Sequence, residues 1–276
     1  MPNVDLHSHS TRSDGLLTPA ELVARARERG VRALALTDHD EVSGLHEART
    51  RAAQVGITFI DGVEISVTWG GQTLHVVGLH IDPENAELTA GLEQIRSGRG
   101  QRAARIASEL EQAGIDDSLA GARSYAANPD LVSRTHFARF LVERGHACDV
   151  HTVFRKYLAT GKPGYVPHQW ASLEQALHWI KASGGIAVLA HPGRYKLDDL
   201  QRDVLLANFA ELGGAAVEVV TGSHTADQFV TWAHHARRFG LFASAGSDFH
   251  GPGESRCDLG ELPELPAGCT PVWEKF

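Results

Sequence analysis

The strongest constraint on the fold is a recurring junction in which an apolar, strand-like run stops at a histidine or a carboxylate. VDLHSH carries His7 and His9, with Asp14 just beyond; ALALTDHD carries His39, AVLAHPG carries His191, and FASAGSDFH carries Asp248 and His250. ITFIDG leads to Glu64 in the same way. A ligand-type side chain placed where a buried strand runs out lies at the rim of a sheet or barrel, where α/β active sites form. Such rims, bearing only imidazole and carboxylate, describe a hydrolytic centre with more than one metal ion.

The segments between these runs read as helices. Thr18-Pro19-Ala20-Glu21 is a capping box with proline at the first helical position, opening a helix that ends at Gly30. Ser43 is expected to cap a second helix closed by Gly56. Gly70-Gly71 marks a hairpin turn. Residues 86–113 read as helix interrupted at Ser97–Gly100, and from about residue 100 to 165 the pattern is helical with glycine stops and no strand. Strand–helix alternation then resumes through IAVLA, AAVEVV and LFASAG. Strands at 3–7, 32–37, 57–63, 73–79, 186–190, 215–220 and 241–246, mostly separated by helices, favour a parallel barrel over an open sheet. The expected α/β architecture is therefore a distorted seven-stranded β/α barrel, residues 1–99 and 166–276, with residues 100–165 forming an inserted small all-helical subdomain. The Pro- and Gly-rich tail from Gly251 is expected to be a surface segment.

Composition narrows the class further. No run is apolar for the eighteen or so residues a membrane span needs, and the N-terminus lacks a signal-like pattern, so cytoplasm is the expected location. Three cysteines without CxxC spacing argue against a disulfide framework and a thiolate zinc site. The formal net charge of -8 argues against broad binding to nucleic-acid backbones, so no DNA-binding surface is expected. Sixteen histidines point the other way, to work on metals or phosphate.

Taken singly, each candidate ligand has a plainer explanation. His7 and His9, two apart on a strand, point to the same side and can grip one ion; a lone HxH is weak. Asp38 or Asp40 could orient His39, although Asp40 also suits the start of a helix. Glu64 among apolar neighbours needs compensation. His75 shares a face with Val77 and Leu79, as a core histidine would. Together, in strand-end positions, the plain explanations fail.

HSHSTRSDG, LALTDHD, GVEIS, LAHPGR and SAGSDFHG resemble the successive motifs of the PHP (polymerase and histidinol phosphatase) family of metal-dependent phosphoesterases, over residues 1 to about 80 and 166 to 250. The resemblance implies a distorted (β/α)7 barrel and three divalent ions. It places His7, His9, Glu64 and Asp248 at one metal, Asp14, His39 and His250 at a second, and Glu64 (bridging), His75 and His191 at a third. Many members carry histidine at the position of Asp14; a harder, charged ligand there favours manganese or iron over zinc. The helical insertion and GKPGYVPH at 161–168 further resemble the subfamily that hydrolyses nucleoside 3',5'-bisphosphates and trims RNA from its 5' end.

The ligand set implies hydrolysis by a hydroxide bridging two ions, its pKa lowered towards about 7, with no protein nucleophile. A bisphosphate substrate also needs a second anion site. Ser133 and Arg134, at a helix N-terminus after Asn128-Pro129, suit phosphate. Arg194 is expected to contact substrate, Lys162 and His168 are weaker candidates, and His224 is a candidate general acid. Tyr165 or Trp170 could stack on a base, though core packing is the simpler role, and His234-His235 read as surface residues. The expected activity is release of the 3'-phosphate from nucleoside 3',5'-bisphosphates, 3',5'-adenosine bisphosphate yielding AMP. The alternatives are 5'-3' exonucleolysis of short 5'-phosphorylated RNA, histidinol-phosphate hydrolysis, a metal-dependent amidohydrolase, and a non-catalytic PHP binding module. An amidohydrolase commonly carries a bridging lysine on a mid-barrel strand, and no expected strand here contains one.

Overall fold

The computed structural model describes residues 3–276. Seven strands follow one another in sequence order around a single sheet: β1 (Val4–Asp5), β2 (Ala33–Leu36), β3 (Thr58–Trp69), β4 (Gln72–Leu79), β5 (Ile186–Leu189), β6 (Ala216–Thr221) and β7 (Phe242–Gly246). The two edges meet where Leu6 donates to Ala245 O (2.9 Å) and Asp248 donates to His7 O (2.9 Å), so the sheet curls into a nearly closed barrel. All pairings are parallel except those of β4, which is antiparallel to both neighbours. The reversal follows from Gly70 and Gly71, both in the left-handed region (φ 55° and 75°), which turn β3 straight back into β4 without a crossover helix. This hairpin is the distortion of the barrel.

Side-chain alternation sorts the strands into an inner and an outer face. Ile60, Val77, Leu79, Val188 and Ala216 fill the barrel interior, while Val63, Ile65, Val67, Leu74 and Val76 face the surrounding helices. Those helices are α1 (Pro19–Glu28), α2 (Leu45–Val55), the first half of α3 (Ala86–Gln112), α7 (Leu173–Ala182), α8 (Asp199–Glu211) and α9 (Ala226–Arg238). The Thr18–Glu21 capping box is present. Ser43 does not cap α2: Gly44 occupies that position without a side-chain hydrogen bond.

Between α3 and α7, the chain forms α4 (Ser118–Tyr125), α5 (Arg134–Glu143), α6 (Val150–Val153) and a π-helical turn, Phe154–Leu158. Residues from Ala103 to Val166 build a second apolar cluster around Phe137, Leu110 and Leu141. α3 belongs to both cores: Leu88, Leu92 and Ile95 pack on the barrel, and Ala103, Ile106 and Leu110 pack in the second cluster. Its 27 residues run without the expected break at Ser97–Gly100. The glycines are tolerated because tertiary contacts need their smallness. A Cβ on Gly98 would lie 2.9 Å from the His168 ring, and one on Gly91 2.4 Å from Trp179.

The tail is also more than a surface segment. Pro271 pairs with Ala243 of β7, Val272 is buried in the barrel interior, and Asp258 binds Arg25 and Arg29 of the first helical layer. The apolar end of the barrel is thus plugged from below, leaving the opposite end for polar side chains.

Candidate metal centre and active-site cleft

Strand lengths explain why ligands gather at one end of the barrel. β3 has twelve residues and its neighbour β2 only four, so β3 overhangs the rim. Glu64 therefore lies within β3, level with His39, rather than after a strand end as its sequence suggested. It occupies the inward face two and four residues after Gly62 and Ile60. Ser66 and His75 are cross-strand partners two pairs further along the hairpin. Ala190 donates to His75 O (3.1 Å), which sets His191 beside it. His7, His9, Asp248 and His250 come from the seam where β1 and β7 meet.

All nine expected ligands converge here. Glu64 is at the centre: its Oε1 lies 2.8 Å from His75 Nδ1, 2.9 Å from His191 Nε2 and 3.3 Å from His7 Nε2. Its Oε2 lies 2.7 Å from His39 Nδ1 and 3.4 Å from His9 Nε2. Asp248 Oδ1 is 3.5 Å from His7 Nε2 and 3.3 Å from His9 Nε2. Asp14 Oδ1 is 3.4 Å from His250 Nε2 and 3.9 Å from His39 Nε2. Ligand atoms fall into four overlapping sets: His9, Asp14, His39 and His250; His7, His191 and Asp248; His7, His9 and Glu64; and His39, Glu64 and His75. The grouping implied by the family motifs recurs in outline, but His9 also joins the Asp14 set and His191 also joins Asp248.

The donor set fits divalent cations. His7 Nε2 and His9 Nε2 face each other at 3.2 Å, and His75 Nδ1 and His191 Nε2 at 3.3 Å. Two nitrogens each about 2.1 Å from one ion stand at such a separation. Asp14 Oδ1, Glu64 Oε2 and His39 Nδ1 are buried without a well-directed hydrogen bond, although the last two lie only 2.7 Å apart, a cost that a cation removes. Burial together with His250 and His39 pushes His9 down to about 3, and burial with Arg194 does the same to His191, leaving both neutral with a free lone pair. Burial would raise the carboxyl groups, yet the surrounding imidazoles hold Asp14, Glu64 and Asp248 well below the usual range. Burial likewise opposes a charge on His250, but Asp14 outweighs it and raises this histidine to about 9. A proton there occupies the electrostatic place of a cation.

Several buried groups support the ligands and were missed in the sequence. Glu218, inward-facing on β6, accepts from His7 Nδ1 (2.7 Å) and from the His191 amide (2.5 Å). It thereby fixes a ring tautomer and a strained backbone, since His191 has φ 27°. The cue was available: a carboxylate amid AAVEVV needs compensation as much as Glu64 does. Asp38 and Asp40 do not orient His39. Asp38 accepts from Ser10 and Ser13 and pins the loop leading to Asp14. Asp40, in the left-handed region at φ 52°, is no helix-start charge; it binds Ser66 and, very closely, Arg99.

A cleft of about 590 Å³ opens from these ligands towards the helical insertion. The Ser133 hydroxyl, which also caps α5, donates to Asp14 Oδ2 (3.0 Å), and Arg139 donates to Asp14 O (2.7 Å), so α5 is latched to a ligand loop. Arg194 reaches across the mouth to Asp248 Oδ2 (2.9 Å). Deeper in, Arg99, Arg102 and Arg134 line the cleft with Trp170, and the Arg99 and Arg102 guanidiniums lie 4.8 and 5.1 Å from the Trp170 ring. Arg99 has Asp40. Arg102 and Arg134 have no carboxylate partner among the described residues; burial, with the neighbouring guanidiniums adding to it, pushes Arg102 down to about 9. Only Arg134 of this trio stood out in the sequence, because helix α3 was expected to break where Arg99 sits.

Three sequence candidates are not brought to the cleft. Lys162 is exposed on the loop after the π turn. His168 packs edge-on behind Trp170, ring centroids 4.2 Å apart. His224 is buried with both nitrogens engaged, one accepting from Gly193 N (2.9 Å) and the other donating to Val219 O (3.1 Å), which leaves no proton to give a leaving group. Outside the cleft, His235 is buried beside Trp232 rather than on the surface.

Comparison with known proteins agrees with this architecture. The PHP domain model matches residues 5–221. The 3',5'-nucleoside bisphosphate phosphatase of Chromobacterium violaceum is 52% identical over 276 residues, covering 100% of this chain and 97% of its own. The 5'-3' exoribonuclease Rnm of Escherichia coli is 47% identical over 275 residues, covering 98% of this chain and 92% of its own. An amidohydrolase from C. violaceum, solved with bound sulfate and no metal, has a TM-score of 0.96 at 52% identity, covering 99% of this chain and 95% of its own. Nearly four fifths of the chain is matched by one family model, relatives near half identity span its full length, and the chain belongs to the PHP domain family.

Proposed function

We propose that this protein is a phosphomonoesterase that removes the 3'-phosphate of nucleoside 3',5'-bisphosphates, using three divalent ions, most suitably manganese. His7, His9, Asp14, His39, Glu64, His75, His191, Asp248 and His250 would hold them, with Glu64 shared. When bound, such ions activate water and neutralise the charge that builds on a phosphoryl group.

The observation that carries the substrate assignment is the pair of guanidiniums, Arg102 buried and Arg134 partly buried, that line the same cleft as the ligand cluster without a carboxylate partner among the described residues. A buried cation without a counter-charge is costly, and an anion delivered by the substrate removes that cost. Arg102 and Arg134 would hold the 5'-phosphate through charge-assisted hydrogen bonds. That anchors the nucleotide with its 3'-phosphate at the ligand cluster. Arg194 sits at the mouth within reach of a phosphate oxygen. Trp170 offers an aromatic wall, already flanked by arginine, against which the nucleoside can rest. Glu218 keeps His7 and His191 oriented throughout. The name of the C. violaceum relative supports the same reading, and that of the E. coli relative supports a second, 5'-3' exonucleolysis of RNA.

The test is chromatographic. Manganese-loaded protein incubated with 3',5'-adenosine bisphosphate should yield AMP and phosphate, and both chelator and Asp248→Asn should abolish the reaction. Intact bisphosphate in the presence of metal-loaded, folded protein would refute the assignment. In that case histidinol phosphate becomes the next substrate to try.

A further inference from the structure

The β4–β5 pairing ends in an irregular rung. Its register runs from Leu79–Ile186 to Val76–Leu189, which makes His75 and Ala190 the next partners. A hydrogen-bonded antiparallel pair exchanges two N–H···O bonds. One forms directly here, from Ala190 N to His75 O at 3.1 Å. The return bond is relayed by a side chain. The His75 amide donates to the Tyr195 hydroxyl (2.9 Å), and the hydroxyl donates to Ala190 O (2.8 Å). A hydroxyl standing between N–H and C=O holds them farther apart than the about 2.9 Å of a direct bond, so the sheet is wedged open on this side. It opens between two candidate ligands. His75 Nδ1 and His191 Nε2 face each other there at 3.3 Å, each beside Glu64 Oε1.

Tyr195 reaches this rung because the 3-10 turn Pro192–Arg194 folds the chain back just after His191. From the β6 side that turn is held by Glu218 on the His191 amide and by His224 on the Gly193 amide. Tyr195 ties the same turn to β4. A tyrosine kept only for packing needs its ring and not its oxygen, yet this oxygen has every bonding position in use. Its proton is committed to Ala190 O, one lone pair takes the His75 amide, and His191 Nδ1 lies 3.4 Å away. His191 therefore meets an acceptor at Nδ1. That favours the proton on Nδ1 and leaves the free lone pair on Nε2, the nitrogen facing Glu64.

We propose that Tyr195 is a positioning residue of the metal centre. Its hydroxyl, inserted into the β4–β5 ladder, sets the separation and the ring tautomer with which His75 and His191 hold an ion together with Glu64. This rests on the reading of the ligand cluster as a metal centre. Without the hydroxyl, the rung is free to close, the His75 amide bonding Ala190 O directly and drawing β4 towards β5. His75 faces its partners through Nδ1, the ring nitrogen nearer its own backbone, so a shift of the strand passes to the ligand atom almost undiminished. His191 at the same time loses the acceptor that selects its tautomer. Ligands supplied by the β1–β7 seam, which Tyr195 does not touch, keep their places.

The experiment compares wild-type protein with Y195F, which keeps the ring and its packing and removes only the oxygen. Both are stripped with chelator and titrated with manganese, the free ion being read by electron paramagnetic resonance. In Y195F one class of site should weaken about 10–100-fold while the remaining sites match the wild type. The melting temperature of the metal-free protein should be nearly unchanged. Turnover of 3',5'-adenosine bisphosphate by Y195F should fall at limiting manganese and recover at excess, with KM for the nucleotide unaltered. Manganese binding identical to that of the wild type overturns the role of Tyr195 alone. So does a uniform weakening of all sites with a lowered melting temperature, which marks an ordinary packing residue. A wild-type protein that takes up no manganese overturns the metal-centre reading and this inference together.

Discussion

The rim of the barrel and the arginine pocket are two parts of one cleft, built on opposite plans. The rim gathers nine candidate ligands from strands, strand ends and the loops beside them, and its carboxylates and imidazoles crowd one another in sets that could hold a cation. The pocket takes Arg99 and Arg102 from α3, Arg134 from the start of α5 and Trp170 from the connection before α7. It has the opposite imbalance, positive charge with too few partners. On the proposed reading, chemistry is housed on the sheet, and recognition where the helical insertion docks against it. If the division is real, each half can be damaged while the other survives.

The sharpest break should come from Glu64→Gln. Removing the one carboxylate that faces five imidazoles should lower both metal content and kcat by well over the about 10–100-fold that outer-layer partners cost. Elemental analysis of the purified variant checks this, and full metal occupancy would sink the central role of Glu64. Next in size is the R102A/R134A pair. Losing two charge-assisted contacts of about 1.5–3 kcal/mol each should raise KM for the bisphosphate by about 100-fold or more and leave metal content intact. Hydrolysis of 3'-AMP, which lacks the 5'-phosphate, should change far less. Equal losses on both substrates would erase the distinction between the two regions.

Glu218→Gln should weaken metal binding by about 10–100-fold, because it loosens the orientation of His7 and of the His191 backbone. Titration of the apo-protein with manganese measures it. The smallest effect is expected at the latch between the regions. Ser133→Ala removes one hydroxyl donor to Asp14 and the α5 cap, costing about 1 kcal/mol of stability. Metal affinity should drop only a few-fold. A large drop would mean that the insertion governs the metal centre, against the division drawn here.

The convergence of most candidate ligands was legible because their cues are local. A two-residue spacing points His7 and His9 to one side, strand ends place His39, His191, Asp248 and His250 at a rim, and a glycine pair reverses β3 into β4. The same local logic misplaced other features. α3 was expected to break at Ser97–Gly100, since glycine disfavours helix; the smallness of Gly91 and Gly98 against Trp179 and His168 explains why it does not. The tail from Gly251 was expected to be a surface segment, yet Val272 is buried in the barrel interior. His224 looked available as an acid, but the nearby Val219 carbonyl and the distant Gly193 amide engage both its nitrogens.

The sequence by itself determined the barrel and its hairpin, which depend on periodicity and spacing over a few residues, and its successive motifs carried the resemblance that named the family and the nine candidate ligands. Only the tertiary structure decided that Glu64 stands in mid-strand facing five imidazoles, that Glu218 braces two of them, and that Arg99, Arg102, Arg134 and Trp170 share one pocket. Apart from Arg99 and Arg102 on one helix, those residues lie tens of positions apart, and their meeting is set by helix packing and burial, which short-range patterns do not encode.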